Sequence, residues 1–144
     1  MDKFTVAHNF TITVMEDTGD ENGFVAAVGE TVNIFFESMF GADGQVDDSC
    51  VTDSNGQCDV TINSDSAGQI EAFATSTVDV NGTAVFRSTD GISPNSGNAT
   101  KTYVDAKIEI DPDATNEVGQ PHNFTITVMK DPKFRFCQSK CLQE

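Results

Sequence analysis

The feature that most constrains this chain is a ten-residue segment that occurs twice. Residues 8 to 17, with the sequence HNFTITVMED, return as residues 122 to 131, with the sequence HNFTITVMKD, at an offset of 114 positions. Nine of the ten residues are identical, and the single exchange replaces Glu16 by Lys130. An offset of about one small domain is typical of a tandem array of complete modules. The sequence therefore predicts one repeat unit followed by the beginning of the next.

The repeat also divides the chain into parts. Residues 132 to 144 share nothing with residues 18 to 30, so the match ends abruptly. We predict a domain at residues 1 to 110, a linker and the first strand of a truncated next repeat at residues 111 to 131, and a divergent, disordered tail at residues 132 to 144. An out-of-frame end, an added sequence and a genuine divergent terminus all remain open as origins of the tail.

Charge is distributed in the same uneven way. Eight basic against 23 acidic residues give a net charge of −15, and residues 1 to 129 carry four of the basic and 21 of the acidic side chains. So acidic a chain repels the phosphates of nucleic acids and anionic lipids, and we expect neither as a partner. No run approaches the roughly 20 apolar residues of a membrane-spanning helix. The opening MDKF lacks the apolar region of a secretory signal, so any export signal must lie outside this chain.

Apolar and polar residues alternate along most of the repeat unit, which is the period of a half-buried strand. The clearest runs are residues 10 to 14, 32 to 36, 58 to 62, 70 to 80 and 102 to 110. Asn81 and Gly82 separate two runs by two residues that tolerate positive φ, which predicts a tight hairpin. Because no window shows a sustained 3.6-residue period, we predict an all-β sandwich of about seven antiparallel strands. An extra copy of the first strand should lie near the C-terminus.

Four segments, in their order along the chain, are similar to the bacterial Ig-like repeats of the invasin and intimin type. They are TITVMEDTGDENG at residues 11 to 23, GETVNIFF at residues 29 to 36, TDSNGQCDVTI at residues 52 to 62 and SAGQIEAFA at residues 66 to 74. The resemblance covers about residues 8 to 86 and implies an immunoglobulin-like β-sandwich. Two loops, at residues 41 to 50 and 88 to 100, are longer than that family leads us to expect.

The resemblance further implies a module of a large extracellular or cell-surface protein, stacked with other copies in a rod and without catalytic activity. We therefore expect a structural or adhesive module whose partners are neighbouring repeats of the same protein. The alternative is a module that binds calcium or carbohydrate through the loops at residues 41 to 49 and 88 to 100. Exposed aromatic residues, which sugar-binding surfaces usually display, are absent from these two loops.

Two of the four cysteines bracket a turn between predicted strands. Cys50 and Cys58 are close enough along such a turn to reach disulfide geometry, and an exported module is found where a disulfide persists. A pair of reduced thiols is the alternative. Cys137 and Cys141, in the tail, are separated by three residues, which fits neither a redox CxxC motif nor half of a zinc site. Crosslinking between molecules is one role open to them.

Two loops gather oxygen ligands of the kind that calcium prefers. One contains Asp17, Asp20 and Asn22, and the other contains Asp43, Asp47 and Asp48. Neither has the spacing of a DxDxDG calcium loop, so solvated acidic loops are the alternative to a calcium site. No other cofactor is expected, and no residues recur in the order of a catalytic triad, so we expect no enzyme activity.

The second copy of the strand carries its own prediction. His122, Phe124, Ile126 and Val128 repeat an apolar strand for which the chain provides no second complete domain. An unpaired apolar strand favours edge pairing, and an identical sequence can replace residues 8 to 15 in a neighbouring molecule. We therefore expect head-to-tail association of identical chains by strand exchange.

Overall fold

The structure is a computed structural model, and it describes residues 7 to 131. This part of the chain contains strands and turns and no helix that is long and apolar enough to cross a membrane. Its strands are β1 (His8–Thr13), β2 (Met15–Glu16), β3 (Val25–Ala26), β4 (Thr31–Met39), β5 (Asp48–Val51), β6 (Gln57–Ile62), β7 (Gly68–Val80), β8 (Thr83–Ser88), β9 (Ala99–Tyr103), β10 (Asp105–Asp111) and β11 (Thr125–Asp131). All pairings are antiparallel. The predicted all-β antiparallel class is confirmed.

The largest sheet has five strands and is built around β7, the longest strand. Its order is β5, β4, β7 and β8, and β9 pairs with the part of β7 that β8 leaves uncovered. Asn81 and Gly82 form the predicted hairpin between β7 and β8, with Val80 opposite Thr83. Both turn residues have positive φ, 52° and 82°, as a two-residue hairpin of type I′ requires.

A second, smaller sheet pairs β1 with β6, and the core lies between it and the five-stranded sheet. The buried core residues are Val32, Ile34, Val60, Ala72 and Ala74. The half-buried side chains of Phe10, Ile12 and Val14 pack against this cluster from β1 and the residue after it. The Thr side chains between them lie on the exposed face, as the alternating pattern predicts.

The predicted first strand is interrupted after Thr13, which is one reason why the structure has more strands than expected. Val14 donates its N–H to the carbonyl of Gly56 (2.8 Å) and accepts the N–H of Ala27 at its own carbonyl (3.0 Å). The chain thereby passes from pairing with β6 to pairing with β3. Gly56 makes this approach possible, because a Cβ there would lie 2.5 Å from the carbonyl oxygen of Val14.

The predicted closing strand at residues 102 to 110 is also divided, at Val104. β9 pairs with β7 as far as Tyr103, which lies opposite Gly68, the first residue of β7. Beyond that point β7 offers no backbone partner, so the ladder ends. The next strand, β10, does not close the sheet of its own unit but pairs with β11. We refer to β10 and β11 together as the ribbon.

Candidate functional site

One edge of β1 is the first part of the candidate site. Because Val14 directs both of its backbone groups towards β6 and β3, alternation along the strand directs those of Phe10 and Ile12 the same way. The backbone groups of Thr11 and Thr13 therefore face the opposite edge. No strand among residues 7 to 131 pairs with that edge, which we call the free edge of β1.

A groove of about 540 Å³ runs beside the free edge. Phe10, Ile12 and Val14 line one of its walls, and Ile34 and Ala74 of the five-stranded sheet belong to the other. These are the side chains of the core itself, so the groove is an opening into the space between the two sheets. An opening of this kind is suited to apolar side chains rather than to a charged ligand.

The loop between β8 and β9 forms part of the rim of the groove. Thr89 fixes its start, because its N–H donates to the carbonyl of Ala74 and its hydroxyl oxygen accepts the N–H of the same residue, both at 3.0 Å. The Asp90 carboxylate accepts hydrogen bonds from the Ile92 amide (3.0 Å) and from the Asn95 side chain (3.2 Å). These two bonds, the first above all, lower the pKa of Asp90. The rim is thus held by hydrogen bonds rather than by apolar packing.

The second copy of the strand has a different environment. In the second copy, Phe124, Ile126 and Val128 are 60%, 61% and 66% exposed, although their counterparts in the first copy pack on the core. The ribbon register places Ile126 opposite Ile110 and Val128 opposite Ile108. Both isoleucines of β10 are exposed as well. The ribbon therefore presents apolar side chains from both of its strands to solvent.

Each of the two histidines nevertheless contacts the phenylalanine two residues further on in the same way. The His8 ring contacts Phe10 edge to face at a centroid distance of 5.0 Å, and His122 contacts Phe124 in the same way at 4.7 Å. In the second copy, His122 Nε2 also lies 3.0 Å from the carbonyl oxygen of Pro112. The identical sequence produces the same edge-to-face ring contact, although His8 lies in β1 and His122 precedes β11.

The structure contains the Cys50–Cys58 disulfide, with the two Cα atoms 5.8 Å apart. It joins β5 of the five-stranded sheet to β6, the partner of β1, and so ties the two sheets together. A persistent disulfide is consistent with an extracellular location without proving it. Cys137 and Cys141 lie outside the described residues, as does the whole predicted tail.

The first acidic loop uses its side chains to hold its own backbone. Asp17 accepts the amide of Gly19 (2.9 Å), and Asp20 accepts the amide of Asn22 (3.1 Å). Hydrogen bonding by the Asn22 side chain and backbone lowers the pKa of Asp20.

The second acidic loop is tied to its neighbours. Asp43 accepts the amide of Asp65 at 2.8 Å, and Asp47 accepts the amide of Phe36 at 3.3 Å. Asp48 accepts the amide of the following residue, at 2.8 Å. Within residues 7 to 131, no group of three or more His, Cys, Asp or Glu side chains is placed to hold a metal ion. Calcium at either loop remains a prediction from sequence.

Comparisons with protein-family models, with curated proteins and with solved structures return no match for this chain. The assignment of the candidate site therefore rests on the geometry of this chain alone. Sequence reasoning identified β11 but missed the free edge and the groove. The signal that could have found them is the row of Ala106, Ile108 and Ile110, which alternates like a core strand but follows a strand that already completes the five-stranded sheet.

Proposed function

We propose that the chain is a non-catalytic, immunoglobulin-like structural or adhesive module from a tandem-repeat protein of the cell surface or extracellular space. The observation that carries this proposal is the pairing of β11 with β10. β11 is the first strand of a next repeat by sequence, and its partner is the last strand of the present repeat. A chain of such repeats would be connected by hydrogen-bonded strands at each junction, with neighbouring repeats as the partners of each unit.

Three further features support a module that is copied in an array. The disulfide joins the two sheets at the side of β6, which suits a protein exposed to oxidising conditions. The core is built by the repeat unit itself, from β4, β6 and β7. The acidic surface gives neighbouring modules a common negative charge, which opposes aggregation of a long repeat protein.

A two-unit chain tests the proposal. Residues 1 to 121 are followed directly by residues 8 to 144, which continues the natural offset of 114 positions. We expect the second unit to fold, so that calorimetry shows roughly twice the unfolding enthalpy of the original chain, in line with the constant enthalpy per residue of folded domains. X-ray scattering should show an elongated particle. The control joins residue 110 directly to residue 8 and so omits the linker.

An unfolded second unit in the two-unit chain would contradict the proposal. A different result would favour the alternative function. If the full chain bound a member of a glycan array at micromolar concentration, or if calcium raised its melting temperature, a ligand-binding module would explain the acidic loops better than a spacer.

A further inference from the structure

Among residues 7 to 131, none covers the apolar row of Ala106, Ile108 and Ile110 on β10. Ile108 and Ile110 are 71% and 63% exposed, and all seven residues of the strand are solvent-exposed. We infer that the groove beside the free edge of β1 is the docking site for β10 of a second copy of the repeat unit, which in an array is the preceding unit. This inference rests on the proposed function, because it names the partner and the contact by which one module completes the next.

The register of that contact follows from the ribbon. β10 is already paired with a strand whose sequence is that of β1, with Ile110 opposite Ile126 and Ile108 opposite Val128. Subtracting the offset of 114 places Ile110 opposite Ile12 and Ile108 opposite Val14. Directly opposite residues of an antiparallel pair share one face of the sheet. Both isoleucines would therefore enter the groove beside Ile12 and Val14, which line its wall.

The backbone edges match as well. The amide of Ala106 donates to the Asp105 carboxylate (2.7 Å), which indicates that the odd-numbered residues of β10 direct their backbone groups towards β11. Their partners on β11 include Thr127, which lies opposite Glu109. Its counterpart in the first copy is Thr13, whose backbone groups lie on the free edge. The edge of β11 that pairs with β10 therefore corresponds to the free edge of β1.

The chain's own β10 cannot reach this position. Tyr103, at the end of β9, lies opposite Gly68, which follows shortly after the end of β6 at Ile62, the partner of His8. If β10 paired with the first copy in the register of the ribbon, Asp105 would lie beside residue 17, at the end of the copy opposite to His8. Residues 8 and 17 are nine positions apart, or about 30 Å along a strand. Val104 is the only residue between Tyr103 and Asp105, and it allows the chain to span only about 7 Å. The occupant must therefore come from another copy.

A synthetic peptide of residues 104 to 112, added to the full chain, tests the docking site directly. We expect amide exchange at Thr11 and Thr13 to slow roughly tenfold or more at saturating peptide, since the peptide would accept their hydrogen bonds. The control peptide carries Ile108→Ser and Ile110→Ser, which keep its charge, and should give no protection. High salt screens the repulsion between the acidic partners. Unchanged exchange at both threonines, together with no selective disulfide trapping in the experiment below, would overturn the inference.

Disulfide trapping covers the case of weak affinity and tests the register. The chain carries Thr13→Cys, at an exposed position, together with Cys137→Ser and Cys141→Ser, and the peptide carries Glu109→Cys. Hydrogen-bonded antiparallel partners have Cα atoms about 5.5 Å apart, within disulfide range. A peptide with Lys107→Cys is shifted by two residues and should form at least roughly tenfold less conjugate, because its Cα lies beyond disulfide reach.

Equal trapping of the two peptides would contradict the register. Failure of the inference and failure of the proposed function are distinguishable. A two-unit chain that folds as two modules, together with no protection and no selective trapping, would leave the structural module standing and remove the docking site. Selective trapping together with an unfolded second unit would support the docking site and contradict the proposed structural module.

Discussion

The two copies of the HNFTITVM segment form strands in both places but occupy opposite environments. In the first copy, Phe10, Ile12 and Val14 pack on the core, and β6 supplies the backbone partner. In the second copy, the same side chains are mostly exposed and the partner is β10. The comparison shows that an alternating sequence specifies a strand with one apolar face, whereas burial of that face depends on which sheet the rest of the chain brings to it.

The largest expected difference between the two copies concerns the glycines that accompany them. Gly56 has φ of 73° and a Cβ there would meet the Val14 carbonyl, so Gly56→Ala should cost about 3 kcal/mol or more of unfolding free energy. Gly119, in the segment before β11, has φ of 89° but open space around it. Gly119→Ala should therefore cost only about 1 kcal/mol, from backbone strain alone. Urea unfolding of both variants measures the difference, and equal costs would contradict it.

The same glycine illustrates what could be predicted from the sequence. Asn55 and Gly56 predict a turn, and the structure has one, in which the Asp53 carboxylate accepts the amides of Asn55 and Gln57. The close approach of Val14 to Gly56 could not be predicted, because it depends on a contact between segments about 40 residues apart in sequence. The Asn81–Gly82 hairpin, the disulfide and the all-β class were accessible because each rests on local pattern or spacing.

The fate of the closing strand was not accessible in that way. Residues 102 to 110 alternate as one strand should, but Tyr103 already reaches the end of β7, and this endpoint is set by the register of a long-range pair. β10 then has two candidate partners of nearly identical sequence, β1 and β11. Which of them it can reach depends on where β9 ends relative to β1, so the free edge and the groove emerge only from the three-dimensional arrangement.

The disulfide should affect the first copy and leave the second unchanged. Cys58 lies opposite Ile12, whereas the ribbon contains no cysteine. Replacing Cys50 and Cys58 by Ala should cost about 2 to 3 kcal/mol on the loop-entropy account. Hydrogen exchange should accelerate in β1 and β6 but stay the same in β10 and β11. Equal acceleration in the ribbon would mean that the two regions unfold together, which their separate pairing does not suggest.

A matched pair of isoleucine substitutions tests how much burial of this side chain contributes to stability in each copy. Ile12→Ala removes a half-buried side chain that packs on the core, at an expected cost of about 2 kcal/mol. Ile126→Ala removes the identical side chain from an exposed position and should cost below about 0.5 kcal/mol. Thermal unfolding of the two variants at one protein concentration provides the measurement. A similar cost at both positions would show that the ribbon is covered in solution, as association between chains would achieve.

The smallest expected effect concerns the single residue by which the copies differ. Lys130 lies opposite Ala106, next to a position where Asp105 and Asp131 face each other across the ribbon. Like charges directly opposite each other destabilise a strand pair, and a neighbouring lysine offsets that repulsion. Lys130→Glu, which makes the second copy identical to the first, should weaken the ribbon by about 0.2 to 1 kcal/mol and accelerate amide exchange in β10. Because the effect is electrostatic, it should shrink in high salt, and an effect of equal size at all salt concentrations would rule out this role for Lys130. In the single chain, Glu16 instead lies opposite Val25 of β3 and meets no facing pair of carboxylates there.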